Sequence, residues 1–225
     1  MVNYRIRLER GDFMLNVRTY PLGYIQTNCY IVSNATKQCL IFDPGGEGDK
    51  LISELHRLKM NPLAIMLTHA HFDHIGAVDQ VRDSFNIPVY IHTSEKKWLM
   101  DPIKNGSGKY AEIPSIICKE ADVLLNKESE LKIGDFHMKL IHTPGHSPGS
   151  LTYYFKEDDF AIVGDTLFQN SIGRTDLPGG NESELLKAIH TKLLTLPETT
   201  LVYPGHGSST TIEAEMESNP FLNGF

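Results

Sequence analysis

The sequence predicts an α/β fold, and three features of its pattern support this prediction. Short apolar runs typical of buried strands alternate with helical patterns in the first half of the chain. Histidine and aspartate residues follow several of these strands directly. The length of 225 residues allows a sizeable core, and no linker or repeat is present, so we expect residues 1–225 to form a single domain.

The first third of the chain contains two strand-like runs, residues 28–32 and 39–42. The second run ends in Asp43-Pro44-Gly45-Gly46, whose composition is typical of a turn. A carboxylate at the end of a strand can also orient a metal-binding histidine through a hydrogen bond. The local sequence leaves both roles open for Asp43.

A strand–helix–strand unit follows. Residues 49–60 predict a helix because three leucines fall on one face, and Asn61-Pro62 ends it. The apolar run 63–67 predicts a buried strand. A second helix is predicted from His74 to about residue 85, followed by a strand at residues 87–92.

The stretch Thr68-His69-Ala70-His71-Phe72-Asp73-His74 comes directly after the buried strand and is a candidate metal site. His69 and His71 alternate on an extended chain, so both point the same way. Asp73 and His74 lie where the backbone turns into the next helix, so one segment can serve two neighbouring metals. The alternatives are an N-cap role for Asp73 and core roles for the histidines, but neither requires this spacing.

The sequence pattern that predicts helices and strands is weaker between residues 93 and 127. A short helix is predicted around residues 94–100, and Asn105-Gly106-Ser107-Gly108 predicts a flexible loop of the kind that often frames a substrate. Trp98 is expected to lie in the core. His92, at the end of the preceding strand, is expected not to bind metal.

The second half repeats the pattern of strands that end in polar residues. The apolar runs are residues 136–141, 160–163 and 200–203. They lead into the segments that contain His146, Asp165 and His206, and two of these segments share a Pro-Gly-His turn. Ligands that reach strand ends from distant parts of a sequence indicate a site at the edge of a sheet.

A last helix is predicted from Asn181 to Leu196, because Asn181 can cap it and Glu184 lies three residues later. This helix is expected only to pack. The remaining histidines on helices and strands are assigned to structure or solvent, namely His56, His137 and His190.

The composition excludes several classes of function. The formal charge is −7 and no basic block is present, so a nucleic-acid groove is not expected. No run approaches the roughly 18 apolar residues of a membrane span, and the first 20 residues lack the apolar core of a signal peptide. We expect a cytoplasmic monomer or homodimer in which Cys29, Cys39 and Cys118 are reduced and buried.

Together these motifs resemble those of the metallo-β-lactamase fold superfamily over nearly the whole chain. They are D-P-G-G at 43–46, T-H-x-H-x-D-H at 68–74, P-G-H-S-P-G-S at 144–150, G-D-T-L-F at 164–168 and P-G-H-G at 204–207. The resemblance implies an αβ/βα four-layer sandwich, in which two mixed sheets pack face to face between helices. It also implies two metals at one edge of the sheets.

The resemblance further implies a set of ligands. His69, His71 and His146 hold the first metal, Asp73, His74 and His206 hold the second, Asp165 bridges both, and Asp43 lies behind the ligands. Such histidine and aspartate donors suit zinc, iron or manganese. We expect two divalent ions per chain, with zinc as the first expectation.

Within the superfamily the chain most resembles short bacterial glyoxalase II-like hydrolases, that is, enzymes similar to hydroxyacylglutathione hydrolase. These carry G-R-T-D-L-P-G-G, here residues 173–180, and end with N-P-F. The resemblance implies a metal-dependent hydrolase that cleaves a small hydroxyacyl thioester. We expect no helical C-terminal extension of the kind that supplies glutathione-binding residues in full-length glyoxalase II, so the thiol half of the substrate stays open.

In such a site two metals can share a water, lower its pKa and present a bridging hydroxide to the thioester carbonyl. The thiolate leaves with little help, because its conjugate acid titrates near about pH 8.5. Asp73, close to the shared water, is a candidate proton acceptor. Arg174 is a candidate clamp for a substrate carboxylate, and a solvated arginine or a local Arg-Asp pair is the alternative.

Two other classes of function compete with this hypothesis. Persulfide dioxygenases resemble the chain in their histidine motifs but bind one iron, which here would use His69, His146 and Asp165. A non-enzymatic binding protein with a decayed site is less favoured, because all seven ligand positions are filled. Secreted β-lactamases are also less favoured, because no signal peptide is evident and the bridging position is an aspartate.

Overall fold

Two six-stranded sheets lie face to face in the computed structural model of the chain, which describes residues 15–109 and 111–222. Residues 1–14 and 223–225, which hold most of the N-terminal segment and the end of the tail, lie outside the described residues, as does Tyr110. Helices pack on the outer face of each sheet.

The first sheet follows chain order from edge to edge. Its strands are β1 (Asn16–Leu22), β2 (Thr27–Ser33), β3 (Gln38–Phe42), β4 (Asn61–Met66), β5 (Val89–His92) and β6 (Val123–Leu125). The first three strands pair antiparallel, and β3 to β6 pair parallel. The parallel half therefore presents its carboxyl ends at one edge.

The strands of the second sheet are β7 (Ser129–Ile133), β8 (Phe136–His142), β9 (Leu151–Phe155), β10 (Phe160–Gly164), β13 (Leu201–Pro204) and β14 (Thr210–Thr211). Their order across the sheet is β14-β13-β10-β9-β8-β7. A small hairpin of β11 (Leu167–Phe168) and β12 (Ser171–Ile172) stands apart from it.

Five α-helices occur within the described residues. They are α1 (Gly48–Arg57), α2 (Phe72–Ile75), α3 (Val78–Phe85), α4 (Glu182–Ala188) and α5 (Ile212–Ser218). A π-helical turn, Ile189–Leu193, continues α4, and single 3-10 turns occur at Thr93–Glu95 and Ser107–Lys109. None of these helices has the length and apolar character that crossing a membrane requires.

Three apolar clusters define four layers. In β3, Leu40 and Phe42 face the second sheet, where Phe42 packs edge-on against Tyr153 with ring centroids 5.2 Å apart. The alternate residue Ile41 faces α1 and α3 on the other side. A third cluster joins the second sheet to α4 and α5. The αβ/βα sandwich is therefore confirmed, and burial on both faces explains why the strands are continuously apolar.

The helix predicted to run from His74 to about residue 85 is broken, so this prediction was wrong. The backbone leaves helical geometry at Ala77, between α2 and α3. The Ala77 amide donates to the Pro44 carbonyl at 2.9 Å rather than to a carbonyl of its own helix. The Asp43–Gly46 turn thus fixes where the helix breaks, and the pattern of apolar residues carries no trace of this tertiary contact.

Other helix boundaries also differ from the predictions. The helix predicted at residues 49–60 ends at Arg57, because the backbone turns left-handed at Lys59. The helix predicted around residues 94–100 is only a 3-10 turn, Thr93–Glu95. The last predicted helix begins as expected, with the Asn181 side chain accepting from the Glu184 amide, but its α-helical part ends at Ala188.

Candidate metal centre

The strands of both sheets bring five segments of the chain to one edge. In the second sheet β8 runs in the same direction as β10, because both pair antiparallel with β9, and β13 is parallel to β10. The carboxyl ends of β8, β10 and β13 therefore lie at the same edge of that sheet. The segments after β3, β4, β8, β10 and β13 carry Asp43 and all seven predicted metal ligands.

The structure brings all seven side chains together. Their ligand atoms form three overlapping groups, and the atoms of each group lie within 4.8 Å of one another. The groups are His69, His71 and His146, then His69, His74 and Asp165, then Asp73, His74 and His206. Since two histidines belong to two groups each, the set forms one continuous centre. All of its members are buried except His206, which is partly exposed.

Asp165 lies in the middle of this set. Its Oδ2 lies 3.5 Å from Nε2 of both His146 and His206. Its Oδ1 lies 3.3 Å from Nε2 of His74. Gly205 permits this crowding, because a Cβ at that position would overlap the Oδ1 atom of Asp165. One carboxylate therefore faces imidazoles of both predicted metal positions.

Asp73 is oriented by a residue of β2. Its Oδ2 lies 3.2 Å from Nε2 of His206 and 3.3 Å from Nε2 of His74. The same oxygen accepts a hydrogen bond of 2.7 Å from the hydroxyl of Thr27, which is fully buried. This contact between residues far apart in sequence fixes the carboxylate toward the centre.

Asp43 lies directly behind the ligands. Its Oδ1 accepts from the Thr68 amide at 2.8 Å, and its Oδ2 accepts from the Thr68 hydroxyl at 2.6 Å. Oδ2 also lies 3.0 Å from Nδ1 of His74. This contact leaves Nε2 of His74 directed toward Asp73 and Asp165. A buried carboxylate in this position fixes the ring orientation of a ligand.

Backbone carbonyls and strand residues position the two Pro-Gly-His turns. Nδ1 of His146 lies 2.8 Å from the Arg174 carbonyl, which leaves Nε2 directed toward Asp165. The turn that carries His206 is held by β2. There the Asn28 amide donates to the Gly205 carbonyl at 2.7 Å. The Tyr30 hydroxyl donates to the Pro204 carbonyl at 2.6 Å.

The donor atoms fit a metal ion. Within the described residues, the buried Nε2 atom of His69 has no hydrogen-bond partner. Nδ1 of His71 lies only 2.8 Å from Nε2 of His146, so two imidazole nitrogens face each other. A divalent ion supplies the partner that such nitrogens lack, and a set of imidazole and carboxylate donors suits zinc, iron or manganese.

The electrostatics of the centre keep four of its donors in metal-binding forms. Burial lowers the pKa of His69 well below its usual value and lowers the pKa of His71 to about 3. Burial acts to raise the pKa values of Asp73 and Asp165, but His74 and His206, with His146 in the case of Asp165, together outweigh burial and hold both pKa values well below the usual range. Neutral imidazoles and ionised carboxylates are the forms that bind metal.

The carboxylates act in turn on two further imidazoles, those of His74 and His206. Burial acts to lower the pKa of His74, but Asp73, Asp165 and Asp43 raise it well above its usual value. Burial likewise acts to lower the pKa of His206, and its contacts with Asp165 and Asp73 raise it to about 9. These carboxylates therefore attract positive charge, and binding of a metal there releases the protons.

The centre opens into a cavity of about 880 Å³. Its wall is mostly apolar and includes Ile25, Phe72, Ile113, Phe168, Ile172 and Leu177. Three cationic side chains also line it, namely Lys104, Lys109 and Arg174. The cavity thus combines an acidic, imidazole-rich floor with apolar walls and a basic rim.

The loop at residues 105–108 forms one wall, but it is not the unrestrained loop that its composition predicts. Asn105 is fully buried, and its Oδ1 accepts from both the amide and the hydroxyl of Ser107. Its Nδ2 donates to the carbonyls of Trp98 and Ile116. Its own carbonyl accepts from the Phe72 amide at 2.9 Å, which ties the loop to the ligand segment.

Arg174 forms the local pair that was the alternative to a substrate clamp. Its Nε and Nη2 atoms donate to the two carboxylate oxygens of Asp176, each at 2.7 Å. Both side chains are exposed. The guanidinium nevertheless lines the cavity, and its backbone carbonyl contacts His146.

The other predicted residues have ordinary structural roles. Trp98 is buried in the first core, as predicted, and its ring packs against His71 with centroids 5.8 Å apart. His92 caps the turn Thr93–Glu95 by accepting from the Ser94 amide, and it stacks on His142. The three cysteines are free and buried, as predicted.

Sequence reasoning missed several residues that support the centre. Thr27, Asn28 and Tyr30 lie on β2, and their side chains contact the ligand segments. Glu95 follows β5 and bonds to two ligand segments. No motif marks these positions, so the only available signal is a polar residue within or directly after a strand.

Comparison with known proteins identifies relatives over nearly the whole chain. The family model described as the metallo-beta-lactamase superfamily matches residues 22–206. The probable metallo-hydrolase YqgX of Bacillus subtilis is 55% identical, and the match covers 92% of this chain and 98% of that protein. Hydroxyacylglutathione hydrolase GloC of Haemophilus influenzae is 37% identical, with 93% and 99% of the two chains covered.

Solved structures are similar in fold and in sequence. The crystal structure of BLEG-1 B3 metallo-beta-lactamase superposes with a TM-score of 0.90 and 55% identity, covering 92% of this chain and all of that one. The crystal structure of TTHA1623 in a di-iron-bound form gives a TM-score of 0.80 and 35% identity, covering 91% of this chain and all of that one.

We expect Asp43→Asn to weaken metal binding by roughly tenfold to 100-fold, the usual range for residues that orient a ligand. The amide keeps the size of the side chain but has one acceptor oxygen for the Thr68 and His74 contacts. Competition with a chromophoric chelator measures the change.

Asp159→Asn is the matched control for this variant. Asp159 also accepts two hydrogen bonds, from Thr199 and Thr200, but it lies at the amino end of β10, at the opposite edge of the sheet. Equal metal affinities for the two variants would contradict the role of Asp43.

Proposed function

The chain belongs to the metallo-beta-lactamase superfamily and is a metal-dependent hydrolase, and from this premise we propose that its substrate is a small hydroxyacyl thioester. One observation supports this choice of substrate more than any other. The loop at residues 173–180, which carries the glyoxalase II-like motif, contacts the proposed metal centre and lines its cavity. The similarity to a hydroxyacylglutathione hydrolase over the whole length of that protein supports the same choice.

The proposed ligands divide between two divalent metals. His69, His71 and His146 would hold one, Asp73, His74 and His206 would hold the other, and Asp165 would face both. When bound, the metals would supply a water of lowered pKa and an electrophilic contact for the thioester carbonyl oxygen. Zinc is our first expectation, with iron or manganese as alternatives.

A side chain of the protein would accept the proton of the attacking water. The carboxylate of Asp73 lines the cavity, and the hydroxyl of Thr27 holds its Oδ2 in place. The pKa of Asp73 lies well below the usual range, so the group is an ionised acceptor at neutral pH. We assign to Asp73 the proton that the attacking water releases. The thiolate needs no acid, because its conjugate acid titrates near about pH 8.5.

The walls of the cavity suit a thioester with an apolar part and a negative charge. The apolar side chains near the centre can bury an acyl chain. At the rim, Lys104 and Lys109 have no ion pair among the described residues, and Arg174 shares its charge with Asp176. Cations around a cavity attract an anionic substrate and raise its local concentration. We propose that the anion is on the thiol half.

The proposed activity is tested on protein purified without added metal or chelator. We expect close to two metals per chain, hydrolysis of hydroxyacyl thioesters, and loss of that hydrolysis after chelation with recovery on adding metal back. Metal content by mass spectrometry and thiol release with a colorimetric reagent are the two measurements. One iron per chain together with persulfide-dependent oxygen uptake would instead indicate the dioxygenase.

Hydrolysis of a β-lactam is a second candidate activity, and one finding favours it. A structure described as a B3 metallo-beta-lactamase is 55% identical to this chain and superposes with a TM-score of 0.90. The same samples are therefore assayed with a chromogenic β-lactam. A higher kcat/KM for the β-lactam than for any thioester would reverse the order of the two proposals.

We expect Asp73→Asn to lower kcat for thioester hydrolysis by roughly 100-fold to 10,000-fold, because an amide cannot accept the proton. Metal content is measured on the same sample. Thr27→Val, which removes only the hydroxyl contact and keeps the carboxylate, should lose less activity. An Asp73→Asn protein that retains both metals and full turnover would exclude Asp73 as proton acceptor.

We expect the double variant Lys104→Gln and Lys109→Gln to raise KM for an S-acyl-glutathione by roughly threefold to tenfold at low salt, with little change in kcat. The neutral thioester of N-acetylcysteamine with the same acyl group should be unaffected. Added salt should reduce the difference between the two substrates.

Two further variants complete this test of the rim. Lys139→Gln is the control, since Lys139 is exposed on β8 and does not line the cavity. Arg174→Ala tests the remaining cation separately. Unchanged KM values for anionic substrates in Arg174→Ala would remove the clamp hypothesis for that residue.

A further inference from the structure

Glu95 is a fully buried carboxylate that belongs to none of the three metal-capable groups. It ends the 3-10 turn after β5 and accepts three hydrogen bonds. Its Oε2 accepts from the Ala70 amide at 2.6 Å. Its Oε1 accepts from the Ser147 hydroxyl at 2.5 Å and from the Gly149 amide at 2.7 Å. A carboxylate is buried at a large cost in hydration, so these contacts are needed to keep it there.

Two of the three partners of Glu95 are immediate neighbours of proposed metal ligands in the sequence. Ala70 lies between His69 and His71, and Ser147 follows His146. These three histidines form the first of the metal-capable groups. The two segments come from different sheets, after β4 and after β8. One carboxylate therefore joins the two backbones whose spacing sets the positions of the three imidazoles.

The segment after β8 is shaped around this carboxylate. A Cβ at Gly149 would lie 2.8 Å from both Cγ and Cδ of Glu95, so only glycine lets the backbone amide approach this closely. The hydroxyl of Ser147 is also held by Ser150, with the two oxygens 2.8 Å apart. The residues of P-G-H-S-P-G-S beyond His146 thus have a physical role that metal binding does not explain.

The turn that carries Glu95 makes a second contact with the group of three histidines, through Trp98. The Trp98 amide donates to the Glu95 carbonyl at 2.8 Å. The ring of Trp98 packs against the ring of His71. The backbone before His71 and its imidazole are thereby both fixed from one short segment.

We propose that Glu95 is a positioning residue of the metal centre, which holds His69, His71 and His146 at the spacing that one metal requires. The three contacts also define a sharp test. Each carboxylate oxygen faces a backbone N–H group, which can only donate. The amide of glutamine must therefore direct its own NH₂ group at the Ala70 or the Gly149 amide, and one contact becomes repulsive.

The test compares Glu95→Gln with wild-type protein in the metal-loaded form. We expect one of the two metals to bind roughly tenfold to 100-fold more weakly in titrations against a chelator, while the other keeps its affinity. Hydrogen exchange at the Ala70 and Gly149 amides should accelerate in the metal-free protein. This readout does not depend on turnover of the loaded enzyme.

Glu215→Gln is the matched control for burial. Glu215 is 1% exposed and also accepts three hydrogen bonds, from the Asn170 amide, the Thr210 hydroxyl and the Asn219 side chain. None of these partners is a neighbour of a proposed ligand in sequence. We expect this variant to lower the unfolding temperature and to leave both metal affinities within twofold of wild type.

Two outcomes would overturn the proposal. In the first, both variants lower the unfolding temperature and neither changes metal affinity, so Glu95 only stabilises the fold. In the second, Glu95→Gln changes nothing. If Glu95→Gln does not fold, Ser147→Ala removes one of the three contacts, and an unchanged affinity for both metals would then refute the role.

This proposal rests on the proposed ligand set and not on the proposed substrate. Wild-type protein that binds no metal would refute the ligand set. Wild-type protein that binds metal but cleaves no thioester would refute only the substrate. Failure of the Glu95 proposal can be distinguished from both of these outcomes, because it is judged by the difference in metal affinity between the Glu95 variants and the wild-type protein.

Discussion

The imidazole of His74 is fully buried and lies beside three buried carboxylates. Its Nδ1 is 3.0 Å from Asp43, and its Nε2 is 3.3 Å from both Asp73 and Asp165. Removing three carboxylates from water is strongly unfavourable unless positive charge accompanies them. Imidazolium forms of His74 and His206 would balance only two of these three charges, whereas two divalent ions supply four positive charges. Residues of several elements at this edge hold these groups in place, since Thr68 contacts Asp43, Thr27 contacts Asp73, and Gly205 leaves room for Asp165.

The fold meets this constraint through the directions of its strands. The parallel strands β3 and β4 end at the edge where Asp43 and the segment 68–74 begin, and β2, which runs antiparallel to β3, begins there. Thr27 and Asn28 at the start of β2 can therefore contact segments that follow the ends of β4 and β13. A backbone contact at this edge also determines where a helix ends. The Ala77 amide donates to the Pro44 carbonyl, and α2 therefore does not continue into α3. The helix is therefore interrupted at Ala77, where the backbone contacts the turn that follows Asp43.

The sequence predicts which side chains meet at this edge, because each of the seven predicted ligands lies in a short motif directly after an apolar run, and motif and strand are both local features. The α/β class follows from the same runs, while the sandwich follows from the resemblance of the motifs. Contacts between residues that are far apart in the sequence produce no local motif. Thr27 is 46 residues from Asp73 and Glu95 is 52 residues from Ser147, so nothing near either residue indicates its partner. Composition also misleads for the glycine-rich loop after Asn105, because one buried amide satisfies backbone groups on both sides of it.

The charges of the cavity link metal binding to substrate binding. Without metals, the floor carries the carboxylates of Asp73 and Asp165 with Asp43 behind them, and this field opposes an anionic substrate near the centre. Lys104 and Lys109 are exposed at the rim, where solvent weakens their attraction, so they cannot offset buried carboxylates. Two divalent ions would supply four positive charges and so remove the excess of negative charge at the floor. The floor would then no longer oppose the anion that the rim attracts, so binding of the proposed anionic thioester would depend on prior metal loading of the centre.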